Sequence, residues 1–114
     1  MTGDLFAERI AAVRQRFANK LDGRIDVIAS ALQQSGGGDG LAALVLAHRE
    51  AHGLCGVGAT LGYVETGKVA RSIERMLLAA VKAERTLADD EILRLRDGVA
   101  LLRSTATAEL SSAK

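Results

Sequence analysis

The clearest helical signal in the chain is residues 92–110, ILRLRDGVALLRSTATAEL. Its apolar side chains recur at steps of three or four residues: Ile92, Leu95, Val99, Leu102, Ala106 and Leu110. A mean spacing of about 3.5 residues is typical of helices that pack side by side at a shallow angle. The segment is therefore predicted to be one helix of a bundle.

A similar pattern upstream predicts a long first helix. Apolar residues recur at steps of three and four from Leu5 to Leu32, and Asp4 is a plausible N-cap. The pair Asp22-Gly23 lies off the apolar face. It leaves two alternatives open, a single helix that is kinked near Gly23 or two collinear helices.

Two more helices are expected between these segments. The second begins near Leu41 and ends at Gly62, a residue suited to a left-handed C-cap. Thr66 is the predicted N-cap of the third helix, and Asp89 is the predicted N-cap of the fourth.

The whole chain, residues 1–114, is predicted to form a single all-α domain, an antiparallel four-helix bundle. Residues 35–40, SGGGDG, are expected to be a flexible connector, and a C-terminal tail is expected from about residue 111. The chain has no proline and only 3% aromatic residues, which favours a core of packed aliphatic helices over a sheet.

The overall charge and the cysteine content narrow the functional class. A net charge of +1 provides no source of long-range attraction to nucleic acid or to an anionic membrane. A single cysteine excludes an intramolecular disulfide, and no apolar run is long enough for a leader or a membrane span. The sequence thus predicts a cytoplasmic protein. A monomer is the default expectation because one bundle can bury all four apolar stripes, and the long first helix leaves a dimer as the open alternative.

The second helix contains an unusual run, AHGLCGVGATLG at residues 51–62, with four glycines. Each glycine costs about 1 kcal/mol relative to alanine inside a helix. His52 lies at the edge of the apolar stripe, and Gly56 in the next turn leaves room beside the imidazole for another protein or a phosphoryl group. For Gly58 and Gly62, close packing and capping are the favoured roles.

The motif His52-Gly53-Leu54-Cys55-Gly56, followed by Gly62, resembles the H-x-L-K-G signature of histidine-containing phosphotransfer (HPt) domains of two-component phosphorelays. Residues 58–63 and 73–77 also resemble the phosphotransfer domain at the N-terminus of chemotaxis kinases. The resemblance implies that His52 is phosphorylated and relays the phosphoryl group between receiver domains of a hybrid kinase and a response regulator.

The same resemblance bears on cofactors. No intrinsic cofactor is expected, because in the family the receiver domain contributes both the aspartate and Mg²⁺. Nothing in the chain resembles an ATP-binding site, so it would be a phosphoryl carrier without kinase activity of its own.

One residue departs from the family pattern. The lysine of the signature is replaced by Cys55, so a positive charge near the phosphoryl group is missing. Arg49, Lys68 or Arg71 could supply a substitute cation. The residues expected to dock a partner are His48, Arg49, Cys55, Gly56, Ala59 and Lys68.

Two alternatives remain open from the sequence. The first is a non-catalytic adaptor with the same bundle. The second is a metal or redox sensor that uses His48, His52 and Cys55, since histidines four residues apart can bind one metal ion. Arg49 would repel a cation, and the glutamate of the metalloprotease motif is missing after His48, so no metal site is expected. Cys55 is better explained as a small buried hydrophobic residue.

Overall fold

The computed structural model describes residues 2–34 and 40–112, which form four helices and, within these ranges, no strand. The helices are α1 (Thr2–Gln34), α2 (Gly40–Thr60), α3 (Val64–Lys82) and α4 (Asp89–Ser112). The tight turn at Gly62 joins α2 to α3, Thr66 near the start of α3 contacts Glu109 near the end of α4, and Leu32 near the end of α1 lies beside Ile92 near the start of α4. Each helix therefore runs antiparallel to its neighbours. The predicted antiparallel four-helix bundle is confirmed.

Helix α1 is one uninterrupted helix of 33 residues. The alternative of two collinear helices is therefore wrong. Gly23 is exposed, and a Cβ there would meet nothing within 4 Å, so neither packing nor backbone geometry requires a break. The helix also begins at Thr2, so the prediction of Asp4 as its N-cap is wrong.

The apolar face of α1 is buried only over its C-terminal part. Side chains from Phe17 to Leu32 belong to the core, whereas four apolar residues before them are exposed: Leu5, Phe6, Ile10 and Val13. At about 1.5 Å per residue α1 is about 50 Å long, longer than α2, α3 or α4. The first turns of α1 therefore project beyond the packed part of the bundle, and the whole molecule, α1 included, is 55 Å long.

The two predicted flexible segments are only partly described. Residues 35–39 of the connector lie outside the described residues, while Gly40 is buried and already begins α2. Helix α4 continues through residues 111 and 112, where a tail was expected, and residues 113–114 lie outside the described part.

The end of α2 matches the prediction. Gly62 has φ +93°, its N–H donates to the Ala59 carbonyl at 3.4 Å, and the Tyr63 N–H donates to the Gly58 carbonyl at 2.8 Å. This pair of bonds is a Schellman motif with glycine at the left-handed position. The chain therefore turns at once into α3.

The N-terminus of α3 is capped from outside the helix. Thr66 is fully buried inside α3, so its prediction as N-cap is wrong, and Tyr63 supplies no side-chain cap. Instead the Glu109 carboxylate of α4 accepts the N–H groups of Glu65 at 3.1 Å and Thr66 at 2.5 Å. Burial raises the pKa of Glu109, but the adjacent Thr66 side chain and the hydrogen bonds from the two backbone N–H groups outweigh it, and the net pKa is lowered.

The N-cap of α4 is one residue earlier than predicted. The Ala88 carbonyl accepts the first helical bond from the Ile92 N–H at 3.0 Å, so Ala88 rather than Asp89 occupies this position. Glu91 accepts the Ala88 N–H at 2.9 Å and pairs with Arg85 at 2.7 Å. The hydrogen bond from Arg85, followed by that from Ala88, lowers the pKa of Glu91 to about 2.

The helices pack around one aliphatic core, whose largest fully buried side chains are Leu21, Ile25, Ile28, Leu44, Leu54, Ile73, Leu77, Leu95 and Leu102. At one end, Tyr63 stacks on Phe17 with ring centroids 5.2 Å apart, and the Arg14 guanidinium lies 5.6 Å from the Tyr63 ring centre. These contacts hold the α2–α3 turn against α1 and so fix the helix that carries His52.

Candidate functional site

Two glycines allow α2 and α3 to approach each other closely. A Cβ on Gly67 would lie 3.2 Å from the Cys55 carbonyl oxygen and 3.3 Å from the Ala59 nitrogen. A Cβ on Gly58 would lie 3.4 Å from the Tyr63 carbonyl and 3.6 Å from the Gly67 backbone. The expected packing role of Gly58 thus agrees with its surroundings, and side chains further along the hairpin are brought within direct contact.

One such contact joins His52 to Glu74. The His52 Nδ1 atom lies 2.6 Å from the Glu74 Oε1 atom, across the α2–α3 interface. The His52 side chain is 72% exposed, whereas the Glu74 side chain is only 18% exposed. An ionised carboxylate only accepts hydrogen bonds, so this contact assigns the proton of a neutral imidazole to Nδ1. The Nε2 atom then carries the free lone pair.

The surroundings of His52 form a shallow depression between α2 and α3, lined by Val45, His48, Arg49, His52, Glu74 and Leu78. His48 is largely buried and its ring is nearly parallel to that of His52, with centroids 6.4 Å apart and an interplanar angle of 14°. Arg49 is exposed and forms no ion pair with any residue in the described ranges. Of the three proposed substitute cations, Arg49 is the one that lines the same depression as His52.

The two glycines nearest His52 have different surroundings. Gly56 is exposed, and a Cβ there would meet nothing within 4 Å. A Cβ on Gly53 would lie 2.7 Å from Arg24 Nη2, and Arg24 also pairs with Glu50 at 3.4 Å. Packing therefore does not require glycine at position 56, which favours the interpretation that it leaves space beside the imidazole.

The other predicted docking residues are spread over two helices. Cys55 is a free, half-buried thiol that packs against the core, which agrees with its expected role as a small hydrophobic residue. Ala59 is exposed in the last turn of α2. Lys68 pairs with Glu65 at 3.2 Å and, together with Arg71, lines a separate depression on α3. His48 and Arg49 thus join His52 in one depression, and Lys68 does not.

The arrangement suits a nucleophilic histidine. A neutral imidazole whose Nδ1–H is held by a carboxylate presents Nε2 to a reactant, and the carboxylate stabilises the positive charge that develops when Nε2 forms a bond. The metal alternative gains no support: within residues 2–34 and 40–112, no group of three or more His, Cys, Asp or Glu side chains is arranged to hold a metal ion.

Comparison with protein-family models gave a match. The family model for the Hpt domain matches residues 12–105, a span that includes His52 and Glu74. The chain belongs to the Hpt domain family. Searches of curated proteins and of solved structures returned no match.

Membership of the Hpt family establishes the general class of function. Hpt domains act in histidine phosphotransfer in phosphorelays and interact with receiver domains. The matched span of this Hpt domain begins at Ala12, so it omits the exposed first turns of α1. None of the helices in the described residues has the length and apolar character needed to cross a membrane.

The sequence interpretation did not assign a role to Glu74. A signal was nevertheless present: with the turn centred on Tyr63, His52 and Glu74 stand at equal distances along the chain on either side. In a tight antiparallel helical hairpin, residues at equal distances from the turn lie side by side across the two helices. A search of the third helix for a carboxylate at the level of His52 would have found Glu74.

Proposed function

We propose that this chain is a phosphoryl carrier in which His52 Nε2 accepts a phosphoryl group from a receiver-domain aspartate and passes it to the aspartate of a second receiver. The observation that carries the proposal is the exposed His52 ring whose Nδ1 atom is held by Glu74 at 2.6 Å. The proposal extends the general function of the Hpt family to a defined atom of this chain.

The chemistry needs few groups from this protein. The Nε2 lone pair attacks phosphorus, the new N–P bond forms, and the P–O bond to the aspartate breaks so that the carboxylate leaves with its electron pair. In the second half, the carboxylate of the next receiver attacks phosphorus and the N–P bond breaks. The Nδ1 proton stays on the ring throughout, hydrogen-bonded to Glu74. Mg²⁺ is expected to come with the receiver domain.

Arg49 is proposed to replace the lysine that is missing at position 55. It lines the same depression as His52, has no ion pair in the described residues, and lies one helical turn before the histidine. A guanidinium there would attract the phosphoryl oxygens. Because Arg49 is also a predicted docking residue, replacing it by Gln should slow transfer from a phosphorylated receiver more than it slows modification by a small donor.

The docking surface is proposed to be the exposed side of α2 around His52. Beside the exposed Gly56 and Ala59, the helix exposes the apolar side chains Val45, Leu46 and Val57. Apolar patches of this kind on a soluble domain mark sites of protein interaction. The predicted monomeric state and cytoplasmic location remain predictions.

The first test is intact mass spectrometry after incubation with phosphoramidate, a small donor of phosphoryl groups to histidine. Wild type should gain one acid-labile phosphoryl group, His48→Gln should also be modified at the endpoint, and His52→Gln should not. A folded wild-type protein that gains no adduct would contradict the phosphotransfer proposal and favour the non-catalytic adaptor.

The second test uses the phosphorylated protein and a panel of purified receiver domains from the same genome. Loss of the phosphoryl group from His52 with its appearance on a receiver would support the relay. Binding of a receiver with equal affinity to wild type and His52→Ala, without any transfer, would indicate an adaptor.

A further inference from the structure

His48 contains a buried nitrogen that the proposed mechanism leaves without a role. Its Nε2 atom is inaccessible to solvent, has no hydrogen-bond partner among the described residues and faces Glu74 on α3. The nearest charged acceptor is the Glu74 Oε1 atom at 3.9 Å, the same oxygen that lies 2.6 Å from His52 Nδ1. One carboxylate oxygen thus faces two imidazoles.

The gap to His48 is small enough to close. A hydrogen bond of this type requires a separation of about 3.2 Å or less. Because a buried polar nitrogen without a partner is costly, rotation of the Glu74 carboxylate or a small tilt of the ring toward it is favourable. A carboxylate has lone pairs for several donors and can hold both rings at the same time.

Few other charged side chains line the depression that contains this carboxylate. The depression is lined by residues of α2 and α3, and Arg49 is the one further charged side chain among them. No described residue of α1 or α4 lines it. His48 is therefore the group best placed to fix the orientation of Glu74 from the buried side.

We propose that His48 is a positioning residue for His52: its Nε2–H donates to Glu74 and holds the carboxylate where it keeps the proton of His52 on Nδ1. The inference rests on the proposed function of His52, since that function requires a free lone pair at Nε2. In metal sites, groups that orient a ligating histidine through a hydrogen bond commonly affect activity by about tenfold or more, and an effect of this size is expected here.

The test compares wild type with His48→Leu, which removes the donor, and His48→Gln, whose amide can donate to Glu74. At about pH 8, where histidine is neutral, ¹⁵N NMR should show the Nδ1–H tautomer of His52 as the main form in wild type. In His48→Leu that fraction should fall at least about twofold, and the rate of phosphoramidate modification should fall about tenfold. His48→Gln should restore part of both.

A double-mutant cycle tests whether His48 acts through Glu74. In a Glu74→Leu background, His48→Leu should have no further effect on the His52 tautomer or on the modification rate. The proposal is overturned if His48→Leu, shown by circular dichroism to be folded, has the wild-type tautomer ratio, or if the two substitutions have independent effects. The tautomer ratio requires no phosphorylation, so a wild-type protein that is never phosphorylated would contradict the proposed function while the NMR result still decides the role of His48.

Discussion

Gly56 and Gly58 are two residues apart on α2, yet their surroundings are opposite. On the side facing α3, a Cβ at position 58 would lie within 3.6 Å of backbone atoms of both Tyr63 and Gly67. On the solvent side, a Cβ at position 56 would meet nothing within 4 Å. The same residue type therefore permits close helix packing on one side and leaves an open surface on the other.

The difference explains how the site is built. The close approach of α2 and α3 brings Glu74 to 2.6 Å from His52, which fixes the proton on the imidazole. The open side leaves the opposite ring nitrogen accessible. The proposed phosphotransfer needs both sides at once, because a well-oriented histidine that a partner cannot approach would be inert.

The largest expected effect is on phosphoryl transfer, from a substitution at Gly56 on the solvent-exposed side of α2. Gly56→Gln would place a side chain one turn after His52, and we expect transfer to a receiver found in the panel to fall about 100-fold, since small displacements of reacting groups have effects of that size. Modification by phosphoramidate should continue because this donor is small. Normal transfer by the folded variant, judged by circular dichroism, would mean that the surface around Gly56 is not the docking site.

The next effect tests the packed side through a matched pair of glycines. Gly67→Ala would place a Cβ 3.2 Å from the Cys55 carbonyl and should destabilise the protein by about 1–3 kcal/mol through overpacking. Gly23→Ala, in an open and exposed position of α1, should stabilise it by up to about 1 kcal/mol. Urea unfolding followed by circular dichroism measures both.

Equal stability changes for the two alanine variants would contradict the distinction between packed and open glycines. The His52 tautomer in Gly67→Ala sharpens the test. If the helices separate to admit the methyl group, the contact between His52 and Glu74 should lengthen and the Nδ1–H fraction should fall.

A smaller effect is expected at the end of the packed interface, where Glu109 caps α3. Glu109→Gln should cost about 1 kcal/mol at pH 7, the usual value of an N-cap. The pKa of Glu109 is lowered in the folded state, so its stabilisation is complete above the unfolded pKa of about 4.3 and is lost as the pH falls through the folded pKa. The stability difference between wild type and variant should therefore shrink below about pH 4. A difference that stays constant into the acid range would exclude the ionised carboxylate as the cap.

This cap illustrates what sequence reasoning could and could not reach. The spacing of apolar residues was sufficient to predict four helices, because burial of one helical face depends on local periodicity. The mostly short connections between the helices predicted their antiparallel order. The cap of α3 lies on α4, and no local rule relates Thr66 to Glu109. The sequence did not predict that the apolar side chains in the first turns of α1 are exposed, for a similar reason. The length of α1 can be read from its own apolar spacing, but how much of it is covered depends on the lengths of the helices that pack against it.

The residues of the candidate site also fall into those that the local sequence identifies and those that it does not. His52 and Gly56 could be identified from their motif, and Gly62 from its position at the end of a helix. The partner of His52 is Glu74, which lies on another helix. Identifying Glu74 requires the position of the turn between α2 and α3, which the Schellman motif at Gly62 determines. Only the folded arrangement shows that His48 and His52 face one carboxylate oxygen.

The smallest effect on stability is expected at Gly53, whose surroundings are intermediate between the open position of Gly56 and the packed position of Gly58. Its Cβ would meet Arg24 Nη2 at 2.7 Å, but this atom is the end of a flexible side chain and can move away. Gly53→Ala should gain up to about 1 kcal/mol in helix propensity and lose most of a partly exposed ion pair between Arg24 and Glu50, worth about 0–1 kcal/mol. The net change in unfolding free energy should thus stay within about 0.5 kcal/mol of wild type. Destabilisation as large as that of Gly67→Ala would show that α1 packs on α2 as tightly as α3 does, and the contrast between the two sides of α2 would then be lost.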